Sequence, residues 1–137
     1  MKRYIKILFS FVLLLFFCGN IYAQEIDVND TTIYSKDDVD VKPQFVGGEK
    51  ALMKWLNENI QYPISAAESA IQGKVYCGFV VEKDGLITNI EITKSVHISL
   101  DNEVIRLVGK MPKWAPAVKN EKIVRCYFIL PVSFILK

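Results

Sequence analysis

One histidine, His97, and three cysteines are all the soft metal-binding side chains in 137 residues, and no two cysteines stand as Cys-x-x-Cys. That scarcity excludes the common zinc spacings and dithiol redox chemistry. No glycine-rich phosphate loop occurs, and no nucleophile stands with a base and an orienting group, so an enzyme is not expected. No cofactor, metal or small-molecule substrate is implied. Charge of one sign is also missing. The net charge is only +2, too small a basic surplus to point to nucleic acid. The chain has no internal repeat and no low-complexity tract.

What is present begins with an address. Lys2, Arg3 and Lys6 precede an apolar run from Ile7 to Phe17, and Ile21-Tyr22-Ala23 offers a small residue for cleavage. This is the layout of a secretory signal peptide over residues 1–23, with Gln24 as the mature N-terminus and the periplasm as destination. Two alternatives remain at this stage. Residues 4–23 could stay as a membrane anchor, although that stretch is short for a bilayer span and contains Asn20. Cys18 could carry a lipid, although Phe17 stands where a small residue is usual. Export would leave Cys77 and Cys126 in an oxidising compartment, as a disulfide or as two packed thiols.

Residues 24–42 carry six acids against two bases, a net −4, and few large apolar groups. Such a segment buries too little surface to fold alone and is expected to be a flexible leader. The domain proper is expected at 43–137, where twelve bases meet nine acids, a net +3.

Within the domain, Ala51, Leu52, Trp55, Leu56 and Ile60 fall on one helical stripe over Glu49–Ile60, and Pro63 ends that helix. Ile64–Ala70 forms a short second helix released through Gly73. A strand over Lys74–Glu82 places Val75, Cys77, Phe79 and Val81 on one face. Asp84-Gly85 supplies a hairpin, and a second strand runs over Leu86–Thr93. Leu100, Val104, Leu107, Val108 and Met111 mark a third helix, capped by Ser99 or Asp101. The last strand, Ile123–Ile135, alternates Val124, Cys126, Phe128, Leu130, Val132 and Phe134 with Arg125, Tyr127, Ile129, Pro131 and Ser133. Pro131 cannot donate to a ladder, which puts this strand at an edge. The expected fold is α+β, a three-stranded antiparallel sheet in the order 2-1-3 with helices packed on one face. Its third strand would leave one side unpaired.

Gln61-Tyr62-Pro63, Ile71-Gln72-Gly73-Lys74-Val75, Phe79-Val80-Val81-Glu82-Lys83-Asp84-Gly85, Met111-Pro112-Lys113-Trp114 and the terminal Val124–Phe134 strand resemble, in order and spacing, the C-terminal domain of the TonB energy transducers. Each piece alone is common; their succession is specific. The resemblance implies a TonB/TolA-like fold and a module that captures a Ton-box-like segment of a TonB-dependent outer-membrane transporter as an added strand. The alternative is a structural or assembly component of the cell envelope that uses the same edge to form a homodimer or to dock on another envelope protein. Carried over by position, the implied peptide-binding residues are Gln61 and the edge Arg125, Cys126, Tyr127, Phe128, Ile129 and Leu130. The chain departs from a complete transducer: residues 4–23 contain no histidine, the connector 24–42 contains no proline, and Ala117 stands at a family glycine. Those departures weigh against force transmission and leave peptide capture as the expectation.

Overall fold

The computed structural model describes residues 26–137 and the backbone of Tyr4–Ile5. The signal-peptide reading of 1–23 and the lipid reading of Cys18 otherwise fall outside the described residues. The elements are β1 (Tyr4–Ile5), β2 (Ile26–Asp27), β3 (Ile33–Tyr34), α1 (Glu49–Asn59), α2 (Ile64–Glu68), β4 (Gly73–Val81), β5 (Ile87–Lys94), α3 (Ile98–Gly109), β6 (Ala117–Lys119) and β7 (Lys122–Phe134). Among the described residues no helix is long and apolar enough to cross a membrane.

Period-two alternation builds the centre of the sheet. On β4, Val75, Cys77, Phe79 and Val81 are completely buried. They meet Val132, Leu130, Phe128 and Cys126 of β7 in continuous antiparallel register. The α3 stripe of Leu100, Val104, Leu107 and Val108 closes over this face, joined by Leu52 and Leu56 of α1 and by Phe45. Phe45, Trp114, Phe79 and Phe128 meet edge-on or tilted, with centroids 5.0–5.9 Å apart. The hairpin between β4 and β5 turns at Gly85, whose φ is +86°. A Cβ there would lie 2.2 Å from the Trp114 carbonyl oxygen, so glycine is required twice over.

The order β5-β4-β7 is the 2-1-3 core expected, but the sheet is larger and mixed. The full path is β3-β7-β4-β5, with β6 also paired to β7. β3 runs parallel to β7, Ile33 opposite Arg125 and Tyr34 opposite Cys126. The three-stranded antiparallel expectation failed because the extra strands are two and three residues long, too short to show alternation. The expected flexible leader is likewise laid on the domain. The Asp40 and Val41 N–H groups donate to the Val118 carbonyl at 2.9 and 3.0 Å, and Val118 returns a bond to Val41 at 3.0 Å.

Two helix ends also differ from expectation. α2 stops at Glu68 and turns through Ala70, which takes the left-handed φ of +52° expected for a glycine. α3 begins at His97, whose Nδ1 accepts the Ser99 N–H at 3.2 Å. The imidazole thus fills the N-cap role assigned to Ser99 or Asp101. Asp101 instead turns back to the Ser95 hydroxyl and the Val96 N–H. The cysteines lie four residues out of register, Cys77 opposite Leu130 and Cys126 opposite Val81. Both are free and buried, about 13 Å apart along the strands at 3.3 Å per residue, beyond disulfide reach.

Candidate functional site

β7 divides into two unlike halves. Its first part, Lys122–Cys126, is flanked by β6 and β3. The β6–β7 turn is Asn120-Glu121, with φ of +50° and +64°, as a tight two-residue hairpin needs. Beyond Cys126 the described residues supply only one strand neighbour, β4.

The direction of the backbone groups follows from the hairpin. The Glu82 N–H donates to the Leu86 carbonyl at 2.9 Å, so Glu82 faces β5. Alternation then aims Val81, Phe79 and Cys77 at β7, opposite Cys126, Phe128 and Leu130. The odd residues Tyr127, Ile129 and Pro131 turn their backbone groups to the outer side. Pro131 therefore costs the β4 ladder nothing, because its missing N–H belongs to the open edge.

Side chains follow the opposite faces. Cys126, Phe128 and Leu130 point to the helical face, where Phe128 lies 5.0 Å from the Trp114 ring and Leu130 is buried. Cys126 sits in a small second cluster with Ala117 and Val124. Burial pushes its thiol up, and it pushes the Cys77 thiol up to about 11. Both thiols stay protonated at neutral pH, which makes them inert.

On the other face, Arg125 grips Glu82 with two nitrogens at 2.7 and 3.0 Å. The guanidinium holds the Glu82 carboxyl below its ordinary value, aided by the Thr88 hydroxyl. A third Arg125 nitrogen donates to the Thr31 carbonyl at 2.8 Å. Tyr127 lies flat across Gly78 to reach Glu91, 2.9 Å from hydroxyl to carboxylate. A Cβ on Gly78 would fall 1.9 Å from that hydroxyl, so the bare backbone makes room for the ring. Burial and then the Glu91 carboxylate raise the Tyr127 phenol. Ile129 is 46 % exposed. A concavity of about 370 Å³ lies beside Phe128, Leu130 and Pro131, walled by Phe45, Leu52 and Met53.

Gln61 is not brought to this edge. Its N–H donates to Glu103 of α3 at 2.5 Å, and its neighbour Tyr62 packs edge-on against Phe134, centroids 5.6 Å apart. Phe134 is the last residue of β7, about 13 Å beyond Leu130, the near end of the expected edge, at 3.3 Å per residue. Gln61 thus belongs to a structural corner. Burial pushes the Glu103 carboxyl up, but Arg106 and the Gln61 N–H outweigh it and hold it below its ordinary value. Arg106 completes the corner by donating to the Asn59 carbonyl at 3.0 Å. The sequence reading missed Glu103 and Arg106. Their spacing of three on one helix was the available signal.

Among the described residues no group of His, Cys, Asp or Glu could hold a metal ion. The chemistry offered is that of a strand edge, with backbone groups for pairing and an apolar hollow beside it.

The model of the Gram-negative bacterial TonB protein C-terminal domain matches residues 58–136. The chain belongs to that family, an envelope protein-interaction module. Two solution structures of the Helicobacter pylori TonB C-terminal domain are similar to it. The longer, spanning residues 179–285 of that protein, shares 21 % identity, with 63 % of this chain and 78 % of that one covered, at a TM-score of 0.48. The shorter, spanning 194–285, shares 22 %, with 64 % and 92 % covered, also at 0.48. Comparison with curated proteins finds no match.

Proposed function

We propose that this chain is a periplasmic binding module of TonB-dependent transport. It captures an extended, Ton-box-like segment of an outer-membrane transporter by adding it as a strand to the outer edge of β7. The observation that carries this reading is the long last strand, which has a partner only on its β4 side beyond Cys126 among the described residues. Such an edge binds through backbone groups, and flanking hollows choose side chains. The hollow beside Phe128 and Pro131 suits an apolar side chain of the added strand. The binding residues are then Tyr127, Phe128, Ile129 and Leu130, with Arg125 and Cys126 at the margin. Gln61 acts indirectly, through the Glu103 corner.

Export with removal of residues 1–23 belongs to this reading. N-terminal sequencing of the protein from its host is expected to begin at Gln24. A start at Met1 or a lipid on Cys18 would contradict it.

Capture itself is tested by pull-down from envelope extract, wild type against Ile129→Pro. The Ile129 N–H faces the open side, so proline removes a donor while sparing the β4 ladder. Wild type is expected to recover TonB-dependent receptors, and the variant about tenfold less, the worth of one hydrogen bond. Recovery of the chain only with itself would favour a structural component that dimerises through this edge.

A further inference from the structure

Residues 26–41 cross the domain beside the edge just described, touching β7 at Arg125–Cys126 and β6 at Val118, and a handful of polar groups hold them there. Ile33–Tyr34 pair in parallel with Arg125–Cys126. Arg125 donates to the Thr31 carbonyl at 2.8 Å. The Lys83 ammonium, at the tip of the β4–β5 hairpin, donates to both the Asp27 and Asp30 carbonyls. Further along, the Asp40 carboxylate accepts the Asn120 N–H at 2.7 Å, in the β6–β7 turn. The Lys119 ammonium sits 4.7 Å from the Tyr34 ring centroid.

We propose that residues 26–41 are a detachable strap, a built-in competitor strand that closes the β7 edge at Arg125–Cys126 against partner strands. This rests on reading that edge as the docking site. The strap is fastened by backbone pairing and polar anchors and buries little apolar surface. Val28, Ile33 and Val41 are 50, 42 and 54 % exposed. Tyr34 and Val39 pack on apolar neighbours, and those form the small cluster of Ala117, Val124 and Cys126, apart from the main core. A segment with so few buried contacts opens at a small fraction of the global unfolding free energy. It can leave without disturbing α3 and β4. While it is seated, an incoming strand can pair only beyond Cys126. Once it lifts, pairing extends back over Arg125. For a strand that needs the Arg125–Cys126 pairing, a strap closed in about nine molecules of ten weakens binding by up to about tenfold.

The strap and the docking reading can be tested apart, in the chain from Gln24 to Lys137. Two variants release the strap from different ends. Tyr34→Pro removes a backbone donor from the paired segment. Lys83→Met removes the ammonium that holds the Asp27 and Asp30 carbonyls and keeps most of the stem. Far-ultraviolet circular dichroism and a denaturation midpoint verify that the core stays folded. The first probe is a synthetic peptide of residues 26–41 of this chain, added in trans and followed by amide NMR. Wild type is expected to show no shifts at Arg125–Tyr127. Tyr34→Pro, which keeps Lys83 to hold the added peptide, is expected to show shifts there, and both released variants are expected to show faster amide exchange at Tyr127 before peptide is added. The second probe is a Ton-box-like peptide, expected to bind the released variants about tenfold more tightly than wild type. Binding of the leader peptide without any binding of the Ton-box-like peptide upholds the strap and removes the docking reading. Equal affinity of wild type and both variants for the Ton-box-like peptide overturns the strap. Unchanged exchange at Tyr127 in both folded variants overturns it as well.

Discussion

The two halves of β7 obey one alternation and meet different fates. Cys126 and Leu130 are both buried, and Arg125 and Ile129 both face away from the helices. Yet the first half pairs with β6 and, at Arg125–Cys126, with β3, whereas the second, among the described residues, has β4 alone. Side-chain pattern decides which face is core. It is silent on the perpendicular direction, where N–H and C=O groups find their partners. An added strand, as proposed, would be recognised along that second direction.

The largest expected effect marks the shared core rather than either half. Leu107→Ala leaves a cavity beneath β4 and is expected to cost about 2–5 kcal/mol in chemical denaturation. A loss below about 0.5 kcal/mol would mean that the sheet does not rest on α3.

Next is the corner that holds Gln61. Glu103 and Glu82 both have carboxyls held below their ordinary 4.5. A carboxyl depressed in the folded state stabilises the fold above its unfolded value and loses that contribution as pH falls through the folded value. Stability is therefore expected to decline below about pH 4.5. Glu103→Gln is expected to lower stability by about 1.5–3 kcal/mol at neutral pH, the worth of hydrogen bonds to a charged group, and to flatten the acid decline. If Gln61 touched the docking edge directly, the same variant would leave stability intact and weaken peptide binding alone. Denaturation midpoints measured from pH 3 to 7 separate the two.

A smaller effect tests the open half itself. Gly78→Ala forces the Tyr127 ring off the sheet, at an expected cost of about 1–2 kcal/mol. In a Tyr127→Ala background the cost is expected to fall by at least half, because the two positions share one contact. Additive costs in the double-mutant cycle would remove Tyr127 from the face of Gly78.

Much of this division was legible beforehand. β4, β5, β7, α1 and α3 fall within two residues of their expected bounds, because each buries a periodic stripe. The antiparallel core order followed from chain direction alone. The leader was not legible. Its anchors are carbonyls at Asp27, Asp30 and Thr31 and short pairings at Ile33–Tyr34 and Val41, none of which leaves a periodic trace. Composition read it as too polar to fold, which holds for the segment alone and fails once Arg125 and Lys83 offer it donors. Ala70 in a left-handed turn and His97 as a cap went unread for a similar reason: tertiary context overrides local preference. The expected edge falls on β7, but its first two residues, Arg125 and Cys126, already have β3 beside them. Gln61 was assigned to that edge from resemblance, although it sits at the strand's far end.

The measurement closest to the central claim is titration of the Gln24–Lys137 chain with Ton-box-like peptides from the same organism, followed by amide NMR. Saturable shifts are expected to concentrate at Tyr127–Leu130 and in the hollow at Phe45 and Met53, spreading to Arg125 and Cys126 as the leader is displaced. Saturating peptide that leaves Tyr127–Leu130 unmoved would contradict strand capture on β7.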